Sequence, residues 1–278
     1  MRFRLLYPGF KTKAVTFSYD DGIIEDKTTT EILNRYGLKG TFNLNSGKSG
    51  ESKFRENKLG KQIDCSYLVL KDDKAVYSGH EIATHTHTHP HMEGLSEQRQ
   101  QEEYLTDIKE LSTIFGQPIR GSAYPYGTYD SNTIEALKAS GIKYSRTTRS
   151  TYRFDVPVYW LLWHPTIHHR DPLLWETLSR FYKSKKELAL FSLWGHSYEF
   201  ALDDNFSLLE DFCKSIKSRK DVYNGTNIEI YDYTHAATML YYRDGHFVNP
   251  SNQTVYFSAC GKEYSIPAGE KLEVADEQ

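Results

Sequence analysis

Apolar residues recur along this chain in two alternating rhythms, short unbroken runs and longer stretches spaced by three and four. Ala14-Val-Thr-Phe-Ser-Tyr19 is β-branched and aromatic and ends in Asp20-Asp21-Gly22, which predicts a strand feeding a turn. A helix capped by Asp26 is expected through Leu33, stopping at Gly37, and residues 40–44 predict a second strand. The opening is therefore β-α-β. Residues 46–77 are polar and rich in Lys, Gly and Ser, with Tyr67-Leu-Val-Leu70 as their strand candidate, and are expected as a surface insertion. A short strand at 79–83 leads into a run of histidines. From Ser96 as cap, a helix is predicted with Leu105, Ile108, Leu111 and Phe115 on one face, ended by Gly116.

The alternation continues. A strand at 119–124 precedes Pro125-Tyr-Gly127, then comes a helix from about Ser131 with Ile134 and Leu137 inward, and a strand at 142–147. Asp171-Pro172 is a cap and first-position pair for a helix to about Lys183, followed by an apolar strand at 188–194. Leu208, Leu209, Phe212 and Ile216 mark a further helix, 228–231 a strand, and 234–242 the last helix. Period-two segments beyond Gly245 predict a small β appendage. Six or seven strand-helix units with continuous apolar strands predict an α/β fold, a distorted (β/α) barrel with about seven parallel strands. With no linker and no repeat, the parse is one domain over 1–244 with a C-terminal β extension, 245–278, packed on it.

Composition narrows the function classes. The 278 residues carry 34 Lys and Arg against 37 Asp and Glu, a net charge of -3, so no basic footprint for nucleic acid is present. No apolar run approaches the roughly 18 residues of a membrane span. The apolar stretch before Pro8 is too short for a signal peptide, which predicts a cytoplasmic protein, or an extracytoplasmic one if an export segment has been removed. Cys65, Cys213 and Cys260 are odd in number and far apart, and read as reduced thiols. The unusual counts are 11 His, which cluster, and 21 Tyr, which suit either sugar stacking or packing.

In a parallel barrel the reactive groups lie at the C-terminal ends of strands. Four clusters sit there. In Asp20-Asp21-Gly22, neighbouring side chains diverge from an extended backbone, so one carboxylate can bind a metal while the other handles a proton; a solvated turn is the plainer alternative. In the second cluster, residues 79–91, histidines stand at 85, 87, 89 and 91. His85 and His89 share a helical face, but so do His87 and His91, and an extended chain aligns all four, so spacing alone does not choose ligands. Two His plus one carboxylate with an open position is a catalytic metal set. The third cluster is Ala123-Tyr-Pro-Tyr-Gly127 and the fourth is an apolar strand delivering His196 to its end.

Thr16-Phe-Ser-Tyr-Asp-Asp-Gly22, followed by Gly79-His-Glu-Ile-Ala-Thr-His-Thr-His-Thr-His-Pro90, resembles the polysaccharide deacetylase family, the NodB-homology carbohydrate esterases of family 4. The resemblance implies Asp20 as general base, and Asp21, His85 and His89 as ligands of one divalent metal ion. Zinc is the default, with cobalt, nickel, manganese or iron as options. His87 and His91 then lie outside the ligand set. Ala123-Tyr-Pro-Tyr-Gly127 resembles the family's Arg-x-Pro-Tyr-Gly segment. It implies a groove wall of Tyr124 and Pro125, and a Tyr126 backbone N–H for the oxyanion. Ala123 stands where the family has Arg; Arg146 is the candidate substitute and Arg120 a weaker one. The stretch around His196 resembles the family's Leu-x-His, implying His196 as general acid and Leu193 or Trp194 as the acetyl-pocket residue.

The Asp and Trp that orient this acid in the family have no clear counterpart; Trp163, His164, His168, Asp171 and Asp155 are the candidates. The resemblance covers about residues 14–240, which makes 1–244 the catalytic domain. It implies a metal-dependent deacetylase acting on the N-acetyl group of an amino-sugar-containing carbohydrate, with metal-bound water as nucleophile. The carbohydrate is the expected partner, with neither nucleic acid nor a membrane span involved. Hydrolysis of an O-acetyl ester, a formamide or a cyclic ureide is the alternative, and a weakly active carbohydrate-binding protein a more distant one.

Overall fold

The computed structural model describes residues 1–274. Its main sheet is parallel throughout and contains β1 (Lys13–Asp21), β2 (Thr41–Leu44), β3 (Glu81–Thr84), β4 (Gly121–Ala123), β5 (Tyr144–Arg146), β6 (Ile167–His168), β7 (Ala189–His196) and β8 (Val222–Asn224). Seven run in the order β5-β4-β3-β2-β1-β7-β6, and β8 pairs with the first residues of β1. All nine positions of β1 are buried, as expected of a strand covered on both faces. The chain from Trp163 to His168 spans the seam of the curled sheet. Trp163 bridges Arg146 of β5 at one end, and Ile167 and His168 pair with β7 at the other. The distorted barrel is as expected. Its apolar core includes Phe17 and Phe191 from the strands and Phe181 and Phe212 from the covering helices.

Several local expectations are corrected. The strand expected at 228–231 is instead β8, and Asn227–Thr238 is helical. Thr226 and Glu229 cap each other there: the Thr hydroxyl accepts the Glu229 N–H and the Glu carboxylate accepts the Thr226 N–H at 3.0 Å. This reciprocal cap outweighs the apolar alternation of Ile228 and Ile230. Helix Asp26–Arg35 forms, but Asp26 does not cap it with its side chain. Its buried carboxylate accepts hydroxyls from Tyr77 at 2.8 Å and Ser197 at 2.5 Å. Asp171 accepts the Leu173 N–H ahead of a helix that begins only at Leu174.

Helix Glu97–Phe115 turns Gln100, Glu103, Tyr104, Asp107 and Leu111 inward, while Leu105 is exposed. The rotation follows from loop donors that need partners. Glu103 accepts the Thr88 N–H and hydroxyl, and Asp107 accepts the Ser46 N–H. The segment 46–77 is more than a surface insertion, because Leu68, Leu70 and Tyr77 are buried in the core. Tyr67 makes only an isolated bridge to Ile23, and the segment's strands are the hairpin Phe54–Glu56 and Gln62–Asp64.

The tail pairs with the beginning of the chain: Phe3–Leu6 runs antiparallel to Val255–Ala259, which pairs with Lys262–Ile266. Phe247, Val255 and Phe257 pack with Ala14 and Leu190, near the N-terminal ends of β1 and β7. That is the end of the barrel opposite Asp20 and His196. The last four residues of the expected extension lie outside the described residues. Among those described, no helix is long and apolar enough to cross a membrane.

Candidate active site

The C-terminal ends of β1, β3, β4 and β7 open onto one cavity of about 400 Å³, lined by Asp20, Asp21, His85, His89, Tyr124, Tyr126, Trp194 and His196. Residues of the 46–77 segment, Lys48, Lys53, Arg55 and Tyr67, close its other side. The volume lies in the usual small-ligand range of roughly 300–1,000 Å³.

The two adjacent carboxylates converge rather than diverge. Asp21 has φ 85°, which breaks strand alternation and brings its side chain to the same side as that of Asp20. Both then stand 3.9 Å from His85 Nε2, and Asp21 Oδ1 is 3.5 Å from His89 Nε2. Left-handed residues at Thr86 (φ 67°) and His89 (φ 59°) fold the loop so that His89 returns to the cavity. His85 Nδ1 donates to the Ala123 carbonyl at 2.8 Å, which leaves the Nε2 lone pair facing Asp21. Asp21 Oδ1 is buried without a hydrogen-bond partner. Burial and the neighbouring His85 push the His89 imidazole down to about 3, so it is neutral and its lone pair is available. An orphaned carboxylate oxygen and two converging imidazole nitrogens fit a divalent cation with an open position. His87 instead reaches Ser46 at 3.0 Å, and His91 stacks on Tyr126.

Asp20 is bound by the wholly buried Arg146, whose Nη2 donates to both carboxylate oxygens. Asn43 adds a donor at 2.8 Å. Burial opposes ionisation of Asp20, but the Arg146 charge beside it, with smaller help from His85 and His196, holds the carboxyl down at about 2. Ala123 and Arg146 are register partners on β4 and β5. Paired residues on neighbouring strands share a face, so a guanidinium from β5 occupies the place open to one from β4. Arg120 is engaged elsewhere, in a bidentate pair with Asp232 at 2.7 Å.

His196 ends β7, and the residue that orients it is Glu199. Glu199 Oε2 accepts the His196 N–H at 3.0 Å and lies 3.4 Å from His196 Nδ1. The same oxygen is 3.1 Å from Nε2 of both His168 and His169, and Arg170 holds Oε1 at 3.2 Å. Arg170 already supplies a cation here, so this convergence reads as a positioning cluster. Burial alone would lower the His196 pKa, but Glu199, with Asp21 and Asp20, raises it above the ordinary value. The Glu199 contribution persists when a cation neutralises Asp21. Of the sequence candidates for this role, only His168 joins the cluster. Asp155 pairs with Lys186 and Arg153, Trp163 packs on Tyr144, His164 meets Thr147, and Asp171 takes the Tyr152 hydroxyl.

Strand parity separates Trp194 from Leu193. Trp194 shares the His196 face and lines the cavity with its ring under Arg146, whose Cζ is 4.5 Å from the ring centroid. Leu193 faces the other way, into the core, and is not a pocket residue. Tyr124 lines the cavity, with its hydroxyl tied to the Leu161 carbonyl, whereas Pro125 is buried outside the lining. Tyr126 has φ 56° and is exposed at the rim. Gly195 makes room for the orienting cluster: a Cβ there would stand 2.3 Å from His169 Nδ1. Gly195→Ala is expected to cost about 1–3 kcal/mol through overpacking, which thermal unfolding checks.

The family model described as Polysaccharide deacetylase matches residues 8–145. YxkH of Bacillus subtilis (strain 168), named for the polysaccharide deacetylases, is 27% identical over 139 residues, 49% of this chain and 45% of its own length. The match thus spans under half of that curated relative. A solved structure from Mycobacterium smegmatis, titled as a polysaccharide deacetylase, superposes with a TM-score of 0.61 at 15% identity, over 85% of this chain and 95% of its own. The family 4 carbohydrate esterase from Streptomyces lividans in complex with acetate gives 0.52 at 13% identity, over 77% and 93%. At these identities the structural likeness is one of fold. The family match shows the polysaccharide deacetylase family for residues 8–145 of the chain, and the solved structures share its fold.

Proposed function

We propose that this protein removes the acetyl group from an N-acetylated amino sugar within a carbohydrate, releasing acetate and a free amine. The observation that carries the reading is the opening of three groups onto one cavity: Asp20 with Arg146, the Asp21, His85 and His89 set, and His196 with Glu199. A divalent cation on Asp21, His85 and His89, zinc by first expectation, supplies Lewis acidity that polarises the acetyl carbonyl and lowers the pKa of water toward about 7.

The chain's own residues do the rest. Asp20, ionised throughout the neutral range, accepts a proton from water as the new C–O bond forms. The carbonyl electron pair moves to oxygen, where the Tyr126 peptide N–H is its donor. Collapse restores the carbonyl and breaks the C–N bond. The departing nitrogen keeps the electron pair and takes a proton from His196, which Glu199 keeps protonated and aimed. Asp20 gains one proton and His196 loses one, so the cycle closes by exchange with solvent.

Stripping metal with a chelator is expected to abolish acetate release, with recovery on adding zinc, cobalt, nickel, manganese or iron singly. Measured metal content and acetate from N-acetylglucosamine oligomers check this. Full activity in metal-free protein sinks the reading. An O-acetylated sugar in the same assay separates the esterase alternative.

A further inference from the structure

The wall of the cavity contributed by residues 46–77 is basic. Strand alternation sends Lys53 and Arg55 to one face of the hairpin and Phe54, 61% exposed, to the other. Lys48, Lys53 and Arg55 line the cavity that holds Asp21, His85, His89 and His196. Tyrosine rings support all three. The ammonium nitrogens of Lys48 and Lys53 lie 5.5 Å from the Tyr67 centroid, and Arg55 Cζ lies 4.3 Å from that of Tyr198. Lys48 shares its charge with Glu51 at 3.1 Å.

Among the described residues, Lys53 and Arg55 form no ion pair, and Arg55 Nε is buried without a hydrogen-bond partner. Arg120, Arg146, Arg170 and Arg219 each bind a carboxylate. Buried donors are almost always satisfied, and a guanidinium fork is shaped for carboxylate or phosphate. What sets Lys53 and Arg55 apart is their place: unpaired with any carboxylate, both line the cavity of the reacting centre, where they are placed to meet a ligand's anion.

Resting on the deacetylase reading above, we propose that the substrate is an anionic amino sugar, bearing a carboxylate or phosphate on or beside the N-acetylated residue. Lys53 and Arg55 are its counter-charges. A neutral N-acetylglucosamine polymer leaves both without partners, and a polymer already bearing free amines is repelled.

The test compares three probes on metal-loaded protein: N-acetylglucosamine, its 6-phosphate and N-acetylmuramic acid. Binding is measured by calorimetry and turnover by acetate release. At least one anionic probe is expected to bind about tenfold or more tightly than the neutral sugar, with the advantage shrinking as salt rises, because partly exposed charges are screened. The phosphate and carboxylate arms tell the two sources apart. In the double variant Lys53→Gln with Arg55→Gln, the ratio of anionic to neutral binding falls toward one. Equal or tighter binding of the neutral sugar overturns the anionic assignment while leaving deacetylation standing if acetate is released. Selective binding of an anionic probe without acetate from any supports the anion site and overturns the deacetylase reading.

Discussion

Arg146→Ala is expected to lower acetate release by about 10²- to 10³-fold and to destabilise the fold by about 3–5 kcal/mol. The size follows from burial on both sides of the pair. Arg146 is 0% exposed and Asp20 3%, so removing the cation strands a carboxylate in the interior. Its pKa then rises from about 2, and the proposed base loses both the charge and the two hydrogen bonds that hold it in place. Asp20→Asn is the mirror case: it deletes the base and strands the guanidinium. Poor folding of that variant alone therefore says nothing against catalysis, and Asp20→Asn with Arg146→Met should be more stable than Asp20→Asn. The sharper test moves the charge. Because Ala123 and Arg146 are register partners, Ala123→Arg placed on Arg146→Ala should regain at least tenfold in rate. Undiminished acetate release from Arg146→Ala at full metal loading would refute the role.

Glu199→Gln should lower kcat by about 10²-fold or more, with KM little changed, since loss of an orienting carboxylate leaves the acid misaligned or in the wrong protonation state. The pH profile gives the sign. In the proposed reaction His196 acts protonated, so the rate is expected to fall as pH rises through its pKa. Glu199 raises that pKa, and its neutral replacement moves the alkaline limb to lower pH. Glu199→Asp should recover part of both effects. A merely structural role would lower the melting temperature and leave the limb in place.

What the sequence disclosed follows the range of the interactions. Asp20, Asp21, His85, His89, Tyr126 and His196 each sit in a short segment at a strand end, so local order carries their grouping. Arg146 reaches Asp20 only because β5 lies beside β4 in a fixed register, and Lys53 and Arg55 reach the cavity only because a polar insertion folds back over it. Neither follows from periodicity. Glu199 did leave a trace: a Glu three residues after a strand-ending His, at the start of a helix, is the capping-box position. Parity also held the choice between Leu193 and Trp194, since only Trp194 is two residues from His196. The convergence of Asp20 and Asp21 had no such signal, because alternation predicts the reverse and a left-handed aspartate overrides it.

That aspartate belongs to a set. Asp21, Thr86, His89 and Tyr126 are all non-glycine residues with positive φ around one cavity. Such conformations cost on the order of 1–3 kcal/mol each. A cation on the proposed site at 1,000 times its Kd would return about 4 kcal/mol to the folded state, which would couple thermal endurance to metal supply. Replacing Asp21 or Tyr126 with glycine would relax the backbone and give up a ligand or a rim contact in the same step. Variants selected for heat resistance should therefore gather their changes on the outer helices and the terminal β strands, leaving the rim tense.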